Sequence, residues 1–255
     1  MLPITITGVT AGQVRDWLAR VLPHRSTDDT LPLLTRVQIT IGDGHLLAAA
    51  TDRYTLAVAR LDAETGTTRA CFTVSGEWLE EVMGELPGDQ LADTPASMSL
   101  DGESFTIEAS DDTDEDFEPY FDGEWNTTTV AHGGTFFDWE PVARTLLAAP
   151  ADPAPVHVAA RLLGRFTAPG AVTLDPAGAL ALDRLAPGPG LPPLSLHSPG
   201  NDRPVLLLGD GFLGALSTWK PRPGELIGEP PAADPGAWHS AWADLLTAQR
   251  VPTAA

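Results

Sequence analysis

Cysteine is nearly absent from this sequence: Cys71 stands alone. That excludes a disulfide framework within the chain, offers no CxxC or Cys/His cluster, and fits a reducing cytoplasm. Long apolar runs are missing as well, and no stretch approaches the ~20 residues a membrane helix needs. The N-terminus, MLPITITGVTAGQVRDWLARVLP, has no basic start followed by an apolar core, so no signal peptide is expected. Positive charge is scarce, with 15 basic against 35 acidic residues and a formal net charge of -20. Such a surface is soluble and repels a polyanion at long range, whereas a generic nucleic-acid domain is basic. Contact with DNA would require the few arginines to gather on one face.

Catalytic constellations are also lacking. The six histidines, at 24, 45, 132, 157, 197 and 239, form neither an HExxH nor a close pair on a helix face, so no zinc site is expected. There is no Gly-x-Ser-x-Gly elbow and no cysteine with flanking chemistry. Gly209, Gly211 and Gly214 spell GxGxxG after a strand, but Pro221 and Pro223 stop any following helix, so a hairpin is expected rather than a dinucleotide site. Asp112, Asp114 and Asp116 match the alternation of a calcium loop. Phe117 then stands where that loop needs Gly, and Gly123 where it needs a bidentate Glu. The run DDTDEDFE therefore reads as a solvated acidic loop. Nothing requires catalysis, and no cofactor or metal is expected.

What is present is patterned sequence. With 43% hydrophobic residues, the chain can bury one large or two modest cores, and two domains of about 100 to 150 residues are the expectation. Residues 3 to 9 alternate as a strand. Thr10 offers an N-cap for a helix from about Ala11 to Leu22, with Val14, Trp17, Leu18, Val21 and Leu22 as its buried stripe. Val37–Ile41 and His45–Ala50 flank a Gly42-Asp43-Gly44 turn, and a further strand follows Thr51-Asp52-Arg53-Tyr54 through Val58. A strand at Cys71–Val74, with Cys71 expected to be buried, leads into a helix capped by Ser75 and running from Glu77 to about Leu86. Met98–Leu100 and Phe105–Glu108 make another hairpin. The second half, richer in Ala, Pro and Gly, offers helices at Pro141–Ala148 and near Ala159–Phe166. Val205–Leu208 and Phe212–Ser217 form a hairpin whose GDG turn echoes the first, which suggests two related units. After Arg222 an extended linker leads to an amphipathic helix from about Ala237 to Gln249, expected to dock on the body through Trp238, Trp242, Leu245 and Leu246.

Residues 31–61, LPLLTRVQITIGDGHLLAAATDRYTLAVARL, resemble the sliding clamp of bacterial DNA polymerase III, the β subunit, in which a hairpin ends in an ATDGHRLA-type segment. Here that segment is Ala50-Thr51-Asp52-Arg53-Tyr54-Thr55-Leu56-Ala57. VSGEWLEEVMGELPGD is similar to the second helix of a clamp domain and SMSLDGESFTIEAS to the hairpin after it. GTFFDWEPV resembles the FPDY-type link between domains, with Phe137 replacing Pro, and RPVLLLGDGFLGALSTWKPR the family's last strands. The order and spacing of these short motifs agree along most of the chain.

The resemblance implies an α+β DNA-clamp (processivity) fold, with antiparallel sheets outside and helices lining an inner face. Residues 1–142 would form a clamp domain like the family's middle one, with an acidic insertion at 111–125. Residues 143–225 would form a shortened last domain, and 226–255 a linker and tail helix. It also implies a peptide-binding pocket carried by Thr51, Arg53, Tyr54, Thr55, Leu56, Phe137, Val142 and Trp219, and DNA-facing arginines at 15, 20, 25, 161 and 165 (Arg15, Arg20, Arg25, Arg161, Arg165). Its implied partners are duplex DNA without sequence preference, a DNA polymerase and other proteins carrying clamp-binding peptides, and a clamp loader. Copies would join into a homo-oligomeric ring, a trimer or dimer, in the cytoplasm with the nucleoid. Glu77, Glu80, Glu81 and Glu85 make the second helix acidic, a departure from a DNA-lining role. Two other readings are a clamp paralogue or decoy that binds clamp-interacting peptides without forming a ring, and an acidic mimic of DNA.

Overall fold

A computed structural model of the chain describes residues 3–86, 92–109, 125–133, 137–150, 162, 164–166, 195–197, 203–217 and 242–246. Its contacts divide it into two units: residues 1–52 with 58–136, and residues 53–57 with 137–255.

Unit 1 opens with β1 (Ile4–Thr10) and α1 (Ala11–Val21). The capping box at the helix start is complete: Gln13 N donates to Thr10 Oγ1, and Thr10 N donates to Gln13 Oε1, which satisfies two otherwise orphaned donors. Ala11, Val14, Trp17, Leu18 and Val21 are buried, the stripe that helical periodicity predicts. Trp17 Nε1 donates to the Ala59 carbonyl at 2.9 Å, so its buried polar atom is satisfied as burial demands. The α-helix stops at Val21, and Leu22–His24 form a 3-10 turn containing Pro23, which has no N–H to continue the ladder.

Then come β2 (Arg36–Gly42), β3 (His45–Thr51), β4 (Thr55–Asp62) and β5 (Ala70–Ser75). The β2–β3 turn is tight, pairing Gly42 with His45, and Gly44 takes φ 72°, which favours glycine there. β4 runs past Val58 to Asp62, longer than its sequence signal, and every residue from Thr55 to Ala59 is buried. The division between units falls inside β4, whose first residues count with unit 2. Cys71 lies in β5 as expected but is half-exposed rather than buried; the buried positions are Phe72, Thr73 and Val74.

After α2 (Gly76–Glu85), capped by the Ser75 hydroxyl, β6 (Pro95–Asp101) and β7 (Ser104–Ala109) form the expected hairpin. β8 (Trp125–Val130) and the two-residue β9 (His132–Gly133) complete the unit. The strand order is β1-β6-β7-β8 in one antiparallel sheet and β4-β3-β2-β5-β9 in another. Phe105 meets Phe72 and Trp78 at ring-centroid distances of 5.0 and 6.2 Å, and these aromatics fill the core between β7, β5 and α2. Residues 110–124, most of the expected acidic insertion, lie outside the described residues; Trp125 does not belong to it, being the first residue of β8.

Unit 2 contains α3 (Trp139–Ala148), which begins two residues earlier than Pro141. The contact boundary correspondingly falls before Phe137, ahead of the 142/143 division expected from sequence. β10 (Ser195–His197), β11 (Val205–Gly209) and β12 (Phe212–Leu216) follow, in the order β10-β11-β12-β4. Gly209 pairs with Phe212 across the turn, so the GxGxxG residues form a hairpin. Gly214 has no room for a side chain: a Cβ there would collide with the Phe166 ring. Within the stretch 159–166, where a helix is expected, Leu162 is helical and Gly164–Phe166 is a 3-10 turn; the remainder lies outside the described residues. Residues 242–246 are helical and docked, as expected of the tail. Trp242 and Leu246 are buried, Trp242 Nε1 donates to the Gly209 carbonyl at 3.2 Å, and Arg144 grips the Leu246 carbonyl at 2.7 Å.

Candidate functional site

The segment resembling ATDGHRLA crosses from β3 to β4. Thr51, the last residue of β3, is buried in unit 1, while Arg53, Tyr54, Thr55 and Leu56 count with unit 2. Arg53 has φ 81°, the one positive φ outside glycine among the described residues. That backbone is left-handed, a state costing an L-residue about 1–2 kcal/mol. Such strain clusters at binding and switch positions. The next residue, Tyr54, is 56% exposed, and its carbonyl is held from behind by Ser217 N at 2.9 Å. Thr55 and Leu56 point into the core. The end of β12 thus pins the backbone of the segment, while Arg53 and Tyr54 remain on the surface.

Around the start of α3, Phe137 is half-buried and Val142 is 41% exposed. The Phe137 carbonyl accepts from Trp139 N at 3.1 Å, and Trp139 is buried, so the helix entry is anchored by Trp139 rather than by its N-cap: Asp138 makes no side-chain capping bond. One turn on, Arg144 donates to Glu140 at 2.9 Å and to the Leu246 carbonyl. Burial pushes the Glu140 carboxyl above its usual pKa range, and the Arg144 guanidinium partly opposes that. Trp219 lies outside the described residues. Unit 2 therefore holds six of the seven described pocket residues, of which Arg53, Tyr54 and Val142 are exposed.

The arginines expected to face DNA do not form one set. Arg15 and Arg20 are half-buried on α1. Arg25 is a correction: it is 8% exposed, pairs Glu80 through two contacts of 2.6 and 3.2 Å, and donates to the Ser26 carbonyl. It closes over Gly76, where an added Cβ would strike the Arg25 side chain and the Thr35 carbonyl. The reason is that the chain leaves the 3-10 turn extended at Arg25, which turns the side chain onto the start of α2. Arg165 also departs from its expected place. It lies in the 3-10 turn, half-buried, and its Nη1 donates to Thr55 Oγ1 at 3.4 Å, so it supports the pocket segment; its spacing from Thr55, 110 residues, gave sequence reasoning no signal for that contact. Arg161 lies outside the described residues. On α2, which packs against α1, Glu77, Glu80, Glu81 and Glu85 are all exposed. The helix pair of unit 1 is acidic in balance.

No group of His, Cys, Asp and Glu among the described residues is arranged to hold a metal ion, and no helix of them is long and apolar enough to cross a membrane.

No family model matches the sequence, and no curated protein matches it either. Solved structures do. The sliding clamp of Bacillus subtilis matches with a TM-score of 0.56 and 13% identity, over 87% of this chain and 65% of its own. The DNA polymerase III β subunit of Pseudomonas aeruginosa matches with a TM-score of 0.56 and 15% identity, over 87% of this chain and 66% of its own. A clamp from Bartonella birtlesii bound to griselimycin matches with a TM-score of 0.55 and 12% identity, over 87% and 66%. The chain spans slightly under two thirds of the length of each of these proteins. With antiparallel sheets and paired helices carried on motifs in the clamp order, this chain has the fold of the bacterial DNA polymerase III β subunit, the sliding clamp.

Proposed function

We propose that the chain is a sliding-clamp protein: copies assemble into a ring, a trimer or dimer, around duplex DNA, and partner proteins dock by short peptides. The supporting observation is the fold likeness, which extends over 87% of the chain and so includes both units. Its action is that of a tether rather than a catalyst, since enclosure holds a polymerase near its template without tight binding. A loader would open the ring, and the protein would work in the cytoplasm at the nucleoid. The peptide would lie over Tyr54 and Val142, with Arg53 orienting it and Phe137 lending apolar wall. Arg15 and Arg20 would supply sequence-blind phosphate contacts.

A second reading is favoured by one feature, the acidic helix pair with Arg25 committed to Glu80. In that reading the chain keeps the peptide site but does not enclose DNA, acting as a paralogue or decoy for clamp-binding peptides. Retention on circular against linearised duplex separates the two. A ring stays on a closed circle and slides off free ends, whereas a peptide-binding paralogue is retained on neither but still captures a labelled clamp-binding peptide. Failure to capture such a peptide, together with failure on the circle, would overturn both readings.

A further inference from the structure

Resting on the peptide-docking reading above, we propose that Arg165 is a positioning residue of the peptide site: its hold on the Thr55 hydroxyl keeps the chain ahead of β4 in the shape that presents Arg53 and Tyr54.

The backbone at Arg53 needs such a hold. Its φ of 81° puts an L-residue where the Cβ crowds the carbonyl that follows, and a residue stays in that state only when its surroundings fix it. Relaxation to negative φ would swing the next two residues, Tyr54 and Thr55. Both are tied. The Tyr54 carbonyl accepts from Ser217 N at 2.9 Å, and the Thr55 hydroxyl accepts from Arg165 Nη1 at 3.4 Å. Thr55 is 2% exposed, so little water can take the place of the guanidinium.

The two ties share one foundation. Arg165 sits in the 3-10 turn Gly164–Phe166. Its neighbour Phe166 is buried and meets the Phe212 ring edge-on at 6.2 Å, in the space that Gly214 leaves by having no side chain. Phe212 and Gly214 belong to β12, which leads directly into Ser217. Turn and strand therefore form one packed piece that grips consecutive residues of the segment, one by its main chain and the other by its side chain. A guanidinium only donates, so Thr55 Oγ1 is fixed as an acceptor. Being half-buried, Arg165 is also screened less than an arginine in open solvent.

The test is capture of a labelled synthetic clamp-binding peptide, titrated by fluorescence anisotropy, with circular dichroism checking the folding of each variant. Arg165→Met removes the donor at similar length, and Thr55→Val removes the acceptor at similar shape. Each is expected to weaken Kd about tenfold, the fall in docking-competent chains that release of the Arg53 strain allows. The double variant is expected to lose no more than either alone, and Arg165→Lys, which keeps a charged donor, to recover part of the loss. In an Arg53→Gly background, where the left-handed backbone carries no strain, Arg165→Met is expected to cost less than about twofold. An arginine that only stabilised unit 2 would cost the same in both backgrounds. Folded Arg165→Met that captures as tightly as wild type, losses that add in the double variant, or an equal loss in the glycine background would overturn the role of Arg165 and leave the peptide site standing. Should Arg165→Met fail to fold, Thr55→Val decides, since a folded Thr55→Val with wild-type capture overturns the role as well. A wild-type protein that captures no peptide would overturn the peptide reading, and this inference with it.

Discussion

Arg53 concentrates the case for a peptide site in one residue. It occupies a left-handed position where the resembled segment has glycine, and glycine adopts that conformation without steric cost. Arg53→Gly should therefore raise stability by about 1 kcal/mol, read from urea denaturation, while weakening peptide capture. A stabilised variant with undiminished capture would assign Arg53 no part in binding. Arg25 stands at the other extreme, a cation used up inside unit 1. Arg25→Met should cost about 2 kcal/mol, the scale of charge-assisted hydrogen bonds lost, and leave the salt dependence of any DNA binding unchanged, whereas Arg15→Ala should reduce that dependence. His45 carries a pH signature. Burial, the largest influence, holds its pKa below the usual 6.5, against the opposing contact with the Asp43 carbonyl. The unfolded chain therefore takes up the proton first. Its stabilising contribution is complete above about pH 6.5 and is lost as pH falls toward the lowered folded pKa. His45→Gln should flatten that limb in denaturation series run across this window.

Among the elements, the tail helix and β8 are the informative ones. Trp242 and Leu246 are buried, and the tail joins α3 through Arg144 and β11 through the Gly209 carbonyl. The tail is thus part of the core of unit 2. Trp242→Ala should destabilise by about 3–5 kcal/mol, seen as a lower thermal transition; an unchanged melting curve would mean that the tail only rests on the surface. The tail was legible because Trp242, Leu245 and Leu246 share a helix face. So were α1, β2, β3 and the β6–β7 hairpin, whose caps, periodicity and Gly turns are local signals. β8 escaped, for its alternate positions are Asn, Thr and Val rather than a clear apolar/polar contrast, and it follows an acidic run. Its half-buried Thr127 accepts from Trp78 and its exposed Thr128 meets Thr106, partners distant in sequence. The contact of Arg165 with Thr55 depends likewise on a neighbour far along the chain.

For the whole molecule, the proposed ring and the net charge of -20 pull in different directions, one toward enclosing DNA and the other toward repelling it. Enclosure can hold a weak binder in place, so a ring should show retention on circular DNA that resists salt better than its equilibrium binding to short duplex, which falls steeply as salt rises. Equal salt sensitivity in both assays would leave no role for topology. The sequence by itself determined the charge, the lack of a disulfide framework, the elements with strong local caps, periodicity and Gly turns, and the likeness to clamp motifs, because these depend on composition and on spacing within a few residues. Tertiary structure alone decided that Arg25 pairs with Glu80 and Arg165 with Thr55, and where the contact boundary falls. Those outcomes depend on which side chains meet across 40 to 110 residues of intervening chain, and burial and pairing at that range follow from packing rather than from any local pattern.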